Sequence, residues 1–385
     1  MEQTLAIEEP RMINPRLFSS CPQVAESKDL RHFIWLLADA GHLVRIREMV
    51  DWRFEIGKIA RARHIPMLFE NIKDYPGARI FTNGLCSPKT IAWALGLKPY
   101  REQRNLLEVR KRIAGPIKPM LVEDGPVLGN IIEGKDVDLL KLPVPHWNSC
   151  DAGRYLGTWH INVSGDPETG ARNVGVYRMQ LLGPRQATVS ASPRSHLASH
   201  LAKAEKEGRA LPMAVAIGVS EAVLMAAAAA YPSEMDEFEL AGALQQEAVQ
   251  LTRCQTADLE VPANSEIVIE GFIQPGVRVQ DGPYFDYTGN TNTNPRAFLF
   301  EATRLMFRND PIFRGTSIGV PGAEDHELFA FLAQLKLVDF HGSRLKQTLQ
   351  NILLRQRRFR AFQVSGETGA ALSRLKSFLH SGHRS

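Results

Sequence analysis

The sequence predicts a mixed α and β fold, in which an N-terminal α/β region precedes a part of the chain built from antiparallel hairpins. Two observations support this prediction. Between residues 29 and about 110, segments with helical apolar spacing alternate with short apolar runs, which is typical of an α/β region. After residue 158, strictly alternating segments are separated by turn residues, which is typical of antiparallel strands.

The N-terminal region is expected to open with a helix from Asp29 that ends near Gly41, because glycine commonly follows the last helical turn. A short strand follows directly. A second helix is predicted over residues 54–64 and a second strand over residues 66–70. Residues 111–150 are rich in proline, glycine and valine with irregular alternation, so loops and short strands are expected there.

The central part is expected to begin with a β-hairpin. Residues 158–165 alternate strictly, D-P-E-T-G supplies turn residues, and N-V-G-V-Y-R-M-Q (173–180) continues as the partner strand. The remaining predicted elements are helices over 194–208, 221–231 and 236–246, strands over 213–219, 266–273 and 298–307, and a loop over 281–289.

The two ends of the chain differ from its middle. Residues 1–27 lack periodicity and are expected to form a loose arm without the apolar core of a signal peptide. Residues 344–360 are expected to form a basic amphipathic helix within a C-terminal helical tail. The longest apolar run, residues 222–232, reaches a proline too soon to span a bilayer, so no membrane insertion is expected.

Composition narrows the class of protein. The 46 basic and 42 acidic residues give a net charge of only +4, which is weak for a nucleic-acid-binding protein. The four cysteines lie far apart and form no C-x-x-C pair, so neither a disulfide framework nor a zinc knuckle is expected. A soluble cytoplasmic protein is therefore predicted.

Arg178 interrupts an apolar strand face. If residues 173–180 form one strand, Val174, Val176 and Arg178 share a face, whereas Asn173 and Tyr177 lie on the other. A buried arginine needs an anionic partner, because desolvating an unpaired charge costs several kcal/mol. The alternative is that Arg178 stands at a strand end and extends to water.

Two further clusters have both a functional and a structural interpretation. His196 and His200 lie one helical turn apart and could share a metal, but H-E-x-x-H is absent and an exposed helix with two ordinary histidines is the simpler interpretation. The cluster Asp236, Glu237 and Glu239 opens a helix, where carboxylates are favoured by the helix dipole. This effect does not explain a carboxylate that faces inward.

The segment D-G-P-Y-F-D-Y-T-G (281–289) places Asp281 and Asp286 five residues apart among aromatic side chains. Aspartate and glycine are common turn residues, which is the structural interpretation. In the functional interpretation, aromatic walls raise the pKa of a carboxyl group and a nearby arginine lowers it, as in carboxylic acids that transfer protons near neutral pH. Local sequence leaves both open.

Together these motifs resemble the UbiD-type decarboxylases, which use prenylated FMN. The resemblance covers residues 28–330, and its most specific motifs are N-V-G-V-Y-R-M-Q and V-P-A-N-S-E-I-V-I-E-G (261–271). The other matching motifs, in family order, are L-F-E-N (68–71), L-P-V-P-H-W (142–147), L-P-M-A-V-A-I-G (211–218), E-F-E-L-A-G-A-L (237–244), D-G-P-Y-F-D-Y-T-G and P-G-A-E-D-H-E-L (321–328).

The resemblance implies a metal site and a cofactor site. Asn173, His196 and Glu237 match the family's ligands for a divalent metal, Mn²⁺ or Mg²⁺, beside the flavin phosphate, with Glu239 as the competitor for the third position. Potassium is a further expected ion. The residues implied to lie along the flavin are Val176, Tyr177, Arg178, Ser190, Ala191, Ser192, Ser195 and His196.

The resemblance also implies the reaction, a reversible non-oxidative decarboxylation of an aromatic or α,β-unsaturated carboxylic acid. Arg178 would orient the substrate carboxylate and, with Asp281, set the protonation of Asp286, which would donate and accept the proton. The cofactor would perform the difficult step while the protein positions and protonates. A flavin prenyltransferase is the implied supplier of the cofactor, and a homo-oligomer is expected.

The implied fold is an N-terminal α/β domain (28–115) and a central split β-barrel (116–330) related to flavin reductases, followed by a truncated or atypical C-terminal region (331–385). Two departures lie in the site: Phe285 replaces the usual glycine, and S-A-S (190–192) replaces a tryptophan-containing stretch. Family chains usually continue through a C-terminal domain, so a short form is expected. The alternative is a non-catalytic or assembly subunit that needs a partner for activity.

Overall fold

The computed structural model describes residues 29–230, 235–320 and 322–337, and these residues form a mixed α/β structure. The predicted N-terminal arm and the basic helix over 344–360 lie outside the described residues. In chain order, the described helices are α1 Leu30–Asp39, α2 Glu55–Ala62, α3 Pro88–Ala94, α4 Glu102–Ile113, α5 His196–Lys206, α6 Glu221–Ala227, α7 Glu237–Gln245 and α8 Glu324–Leu335.

The strands are short except for two long neighbours. In chain order they are β1 Val44–Ile46, β2 Met67–Phe69, β3 Arg79–Thr82, β4 Met120–Leu121, β5 Asn130–Glu133, β6 Tyr155–Gly157, β7 His160–Gly165, β8 Arg172–Gly175, β9 Met179–Gln180, β10 Gln186–Val189, β11 Leu211–Ile217, β12 Gln250–Arg253, β13 Glu260–Pro262, β14 Ile267–Phe285, β15 Thr291–Phe307 and β16 Ile312–Arg314.

The N-terminal α/β region forms as predicted, with additions. α1 begins at the N-cap Asp29, whose side chain accepts the His32 N–H, and the chain leaves the helix through Gly41 at a φ of +68°. The sheet has the order β1-β2-β3-β16, so the chain returns to it after the central part. Helices α3 and α4 were not predicted individually, although Ser87 and Thr90 form a capping box at the start of α3.

The central part is a seven-stranded antiparallel sheet that curls into half a barrel. Its order is β10-β15-β14-β11-β7-β8, with β5 also paired to β15. The predicted hairpin is β7–β8, in which Ser164 lies opposite Asn173. Helices α5, α6 and α7 begin close to their predicted positions. The domain bounds and the relation to flavin reductases stay predictions.

Two predictions about strand limits are wrong. β8 ends at Gly175, so the alternation of faces expected over residues 173–180 does not reach Arg178, which lies between β8 and β9. The segment 281–285, predicted as loop, belongs to β14, which pairs with β15 through several register shifts. These irregularities let the chain contain glycine and proline without leaving the sheet.

None of the helices in the described ranges combines the length and the hydrophobicity that a transmembrane helix requires.

Candidate active site

Arg178 and Asp281 form the centre of the site. The Arg178 Nε donates to Asp281 Oδ1 at 2.6 Å, and the Thr188 hydroxyl donates to Asp281 Oδ2 at 2.6 Å. The Asp281 side chain is fully buried, whereas that of Arg178 is 17% exposed. Burial raises the pKa of Asp281, and Arg178 and Thr188 oppose this rise. Arg178 therefore has an anionic partner, and the alternative in which it extends to water is wrong.

Two tyrosine rings pack beside this ion pair. The guanidinium carbon of Arg178 lies 5.0 Å from the centre of the buried Tyr284 ring, and the Tyr284 and Tyr155 ring centres are 4.1 Å apart. Burial raises the pKa values of both phenol groups, so both rings are neutral hydroxyl-bearing walls at neutral pH. At Asp281, burial thus raises the pKa of the carboxyl group while the neighbouring arginine lowers it.

Asp286 stands at the turn between β14 and β15. Its Oδ1 accepts the Thr288 N–H at 2.9 Å and the Thr288 hydroxyl at 2.6 Å, and its Oδ2 accepts the Asn292 side-chain amide. The Asn292 carbonyl in turn accepts Arg178 Nη2 at 3.3 Å. One residue, Asn292, thus contacts both the carboxylate of Asp286 and the guanidinium of Arg178.

Phe285, which stands where the resemblance predicts a glycine, is fixed by a hydrogen bond from its backbone and by the packing of its ring. Its N–H donates to the buried Asp151 carboxylate at 2.8 Å. A Cβ added at Gly319 would lie 2.5 Å from the Phe285 ring and 2.4 Å from the Asp286 carbonyl, so the ring packs directly on that glycine. Gly319 has a φ of +91°, which favours glycine for a second reason.

The proposed metal ligands Asn173 and Glu237 are both buried and come together across α7 and β8. Glu237 Oε2 accepts the Val174 N–H at 3.0 Å. Burial raises the pKa of Glu237 to about 7, and the Val174 N–H and the charge of Arg172 oppose this rise only in part. Asn173 Nδ2 donates to Ser164 Oγ at 3.5 Å and to Tyr177 Oη at 3.4 Å.

The third proposed ligand, His196, is the first residue of α5. The Tyr177 hydroxyl interacts with Asn173 and with the residues on either side of His196, namely Ser195 and the backbone of Leu197. The described contacts do not join the His196 side chain directly to Asn173 or Glu237. Within residues 29–230, 235–320 and 322–337, no three His, Cys, Asp or Glu side chains are grouped as a metal site.

The members of the acidic cluster and of the histidine pair differ in their burial and their contacts. Asp236 caps α7 and pairs with Arg172, as the structural interpretation predicts, whereas Glu237 faces inward. Glu239 is half-buried on the same helix. His200 is only 6% exposed, so the interpretation of an exposed helix with two ordinary histidines is wrong for this residue.

The residues expected along the flavin lie around Arg178. The Ser190 N–H donates to the Arg178 carbonyl at 2.9 Å, and the side chains of Val176, Ala191 and Ser192 are half-buried or exposed. Ser195 caps α5 by accepting the Ala198 N–H at 3.2 Å. The N-terminus of this helix, next to Asn173 and Glu237, is the kind of place where proteins bind phosphate.

Three contact residues had no individual prediction from the sequence. Thr188, Asn292 and Thr288 contact Asp281 or Asp286, and each is a common polar residue without a distinctive local pattern. Thr188 could have been found from its spacing, because it stands two residues before Ser190 and strand alternation places both on one face. For Asn292 the sequence has no such indication, because it stands in the run N-T-N-T-N (290–294).

Comparison with protein families now identifies the chain. Residues 120–321 match the 3-octaprenyl-4-hydroxybenzoate carboxy-lyase Rift-related domain, and residues 34–109 match the N-terminal domain of the same enzymes. The chain belongs to the UbiD family. It is 33% identical over 324 residues to an uncharacterized protein of Synechocystis sp. and 34% identical over 321 residues to one of Archaeoglobus fulgidus. These alignments cover 78% and 77% of this chain but only 64% and 65% of the relatives.

Solved structures agree with this assignment. Vanillic acid decarboxylase of Sedimentibacter hydroxybenzoicus is 31% identical with a TM-score of 0.76, covering 79% of this chain and 67% of that one. The UbiD-class enzyme HmfF from Pelotomaculum thermopropionicum, solved as an evolved dimeric form with prFMN (prenylated FMN), is 34% identical with a TM-score of 0.74, covering 80% and 71%. The chain therefore has the fold of UbiD-class decarboxylases.

Proposed function

We propose that this protein is a prenylated-FMN-dependent carboxy-lyase that catalyses the reversible non-oxidative decarboxylation of an aromatic or α,β-unsaturated carboxylic acid. The observation that supports this most directly is the ion pair of Arg178 with the buried Asp281, beside Asp286 and an aromatic wall. A purely structural ion pair does not require a guanidinium that stays partly exposed to solvent.

In this proposal Arg178 binds the substrate carboxylate. Asp281 engages both its Nε and its Nη2, and Nη2 also reaches the Asn292 carbonyl at 3.3 Å, so the contacts of the described residues leave Nη1 for a second anion. Asp281 keeps the guanidinium oriented. The buried Tyr284 ring packs against the guanidinium and helps to hold it in place.

Asp286 is the proposed proton donor and acceptor. Its carboxylate lies at a turn of partly buried residues, and hydrogen bonds from Thr288 and Asn292 orient it. A positioned carboxylic acid of this kind contributes about 10²- to 10⁴-fold to a proton-transfer step. In the decarboxylation direction it returns one proton to the carbon that loses carbon dioxide.

The residues present fit a flavin phosphate and a divalent ion. Asn173 and Glu237 offer oxygen ligands, His196 offers a nitrogen, and α5 directs its N-terminus to the same place. Burial raises the pKa of Glu237 to about 7, and a divalent ion bound beside it would favour its charged form. Prenylated FMN, when bound, supplies the electron-accepting chemistry of the decarboxylation. Mn²⁺ is the proposed ion, with Mg²⁺ and K⁺ as further candidates.

The test is co-expression of the full chain with a flavin prenyltransferase, followed by the absorbance spectrum, the mass of the released small molecule and the metal content. We expect prenylated FMN with manganese, and turnover of at least one aromatic or acrylic acid. Asn173→Ala should lower flavin and metal retention together. Wild-type retention of both in Asn173→Ala would refute the metal assignment.

The alternative is a non-catalytic or assembly subunit. It predicts a colourless protein under conditions that load a related enzyme, together with co-purification of a second UbiD-type chain. Flavin content and co-purification therefore separate the two hypotheses. The oligomeric state, proposed to be a homo-oligomer, is measured on the same samples by light scattering.

A further inference from the structure

His200 lies in the core beside the proposed metal site although it is not one of the proposed ligands. Its Nδ1 is 3.1 Å from Ser164 Oγ, and Ser164 is itself fully buried. Ser164 stands directly opposite Asn173 in the β7–β8 ladder, and Asn173 Nδ2 donates to the same Oγ at 3.5 Å. A chain of contacts thus leads from α5 through β7 to the amide of Asn173.

The donors and acceptors along this chain can be assigned. An amide NH₂ only donates, whereas a serine hydroxyl has one proton and accepts through its lone pairs. Ser164 Oγ has two lone pairs and can accept from both Asn173 and His200, so the direction of its own proton depends on which ring nitrogen of His200 is protonated. His200 Nε2 faces Asp166 Oδ2 at 3.9 Å, and this carboxylate favours the proton on Nε2, so that Nδ1 of the neutral ring accepts the Ser164 proton.

The surroundings of His200 agree with a neutral ring. Burial lowers the pKa of His200, and the nearby His196 and Lys203 lower it further while Asp166 opposes them. Asp166 is already paired with Lys203 at 2.7 Å, so its charge is largely met by that lysine. The ring is therefore neutral, and with its proton on Nε2 it accepts a hydrogen bond at Nδ1.

We propose that His200 and Ser164 are positioning residues for the metal site, which hold the Asn173 side chain with its nitrogen toward Ser164 and its oxygen toward the ion. The inference rests on the proposed function, because it takes Asn173 as a metal ligand. With the amide turned the other way, the NH₂ group would face the cation and the oxygen would face Ser164. The histidine acceptor prevents this, because the Ser164 proton is directed to the ring.

The experiment is a titration of the full chain with Mn²⁺ at saturating FMN, in which electron paramagnetic resonance measures the free ion. Ser164→Ala and His200→Leu should each weaken Mn²⁺ binding about 10- to 100-fold, as loss of an outer hydrogen-bond partner usually does. His200→Asn should stay within about 3-fold of wild type, because its side-chain oxygen takes the place of Nδ1. The matched control is Ser199→Ala on the exposed face of α5.

The outcomes separate the inference from the proposed function. If the wild type binds Mn²⁺ and both Ser164→Ala and His200→Leu bind it within about 3-fold as well, the positioning role is refuted while the metal site stands. If His200→Asn is as weak as His200→Leu, the histidine contributes packing rather than an acceptor, and the inference is also refuted. A wild type that binds no Mn²⁺ refutes both. Thermal melting of each variant checks that the fold is intact.

Discussion

The Arg178 guanidinium and the Asp281 carboxylate form a hydrogen-bonded ion pair although 103 positions of sequence separate them. The carboxylate is fully buried and the guanidinium partly so. Such a pair contributes little net stability when intact, because desolvation offsets most of the attraction, but removing one partner leaves a charge without compensation.

Asp281→Ala should therefore lower the free energy of unfolding by about 3 kcal/mol, since it leaves the Arg178 charge without its buried partner. The double variant Arg178→Met/Asp281→Leu should recover most of this loss because no buried charge remains. Urea denaturation measures both. A double variant that is less stable than Asp281→Ala would show that the pair itself stabilises the fold.

Asp286→Asn should abolish turnover while the flavin stays bound, because the amide keeps the size of the side chain but has no acidic proton to deliver. A loss of about 10²-fold or more is expected for a general acid. Steady-state decarboxylation and the flavin absorbance are measured on the same sample. Unchanged turnover would remove Asp286 from the donor role.

Gly175→Ala should disturb the metal and flavin region. A Cβ at this position would lie 2.8 Å from the Tyr177 ring and hydroxyl, so the ring must move and its contact with Asn173 is lost. We expect weaker retention of metal and flavin with a lower melting temperature. Gly183→Ala is the matched control, because a Cβ there has no neighbour within 4 Å. Equal behaviour of the two variants would contradict the role of Gly175.

Stability should fall with rising pH because of Glu221. This buried carboxyl group shares Arg314 with Glu324, and burial raises its pKa from 4.5 to about 7, with Arg314 opposing and Glu324 adding to the rise. The folded state therefore holds a proton that the unfolded state releases between pH 4.5 and 7. This group's stabilising contribution is complete below that window and is lost as pH rises through it.

Glu221→Gln isolates this effect, because the amide is neutral at every pH. The wild type should lose up to about 3 kcal/mol more than the variant between pH 4.5 and 7. Urea denaturation at four pH values across and above this window measures the difference. Parallel pH curves for the two proteins would contradict a protonated Glu221 in the folded state.

Local patterns in the sequence were sufficient for several elements. The N-cap Asp29, the exit at Gly41 and the turn between β7 and β8 are decided by residues a few positions apart, so their chemistry is visible in the chain. Local pattern did not distinguish the inward Glu237 from its acidic neighbours, and only the family resemblance singled it out. The burial of His200 was not visible, because it depends on packing against β7.

What the sequence alone determined is therefore the set of chemical groups, their order and the short-range elements that present them. Only the tertiary structure decided that β14 runs on through Asp281, that Asn292 links Arg178 with Asp286, and that Ser164 lies between His200 and Asn173. The physical reason is that these relationships are contacts between neighbouring strands and helices. Strand register and β-bulges, which depend on the whole packed sheet, determine them.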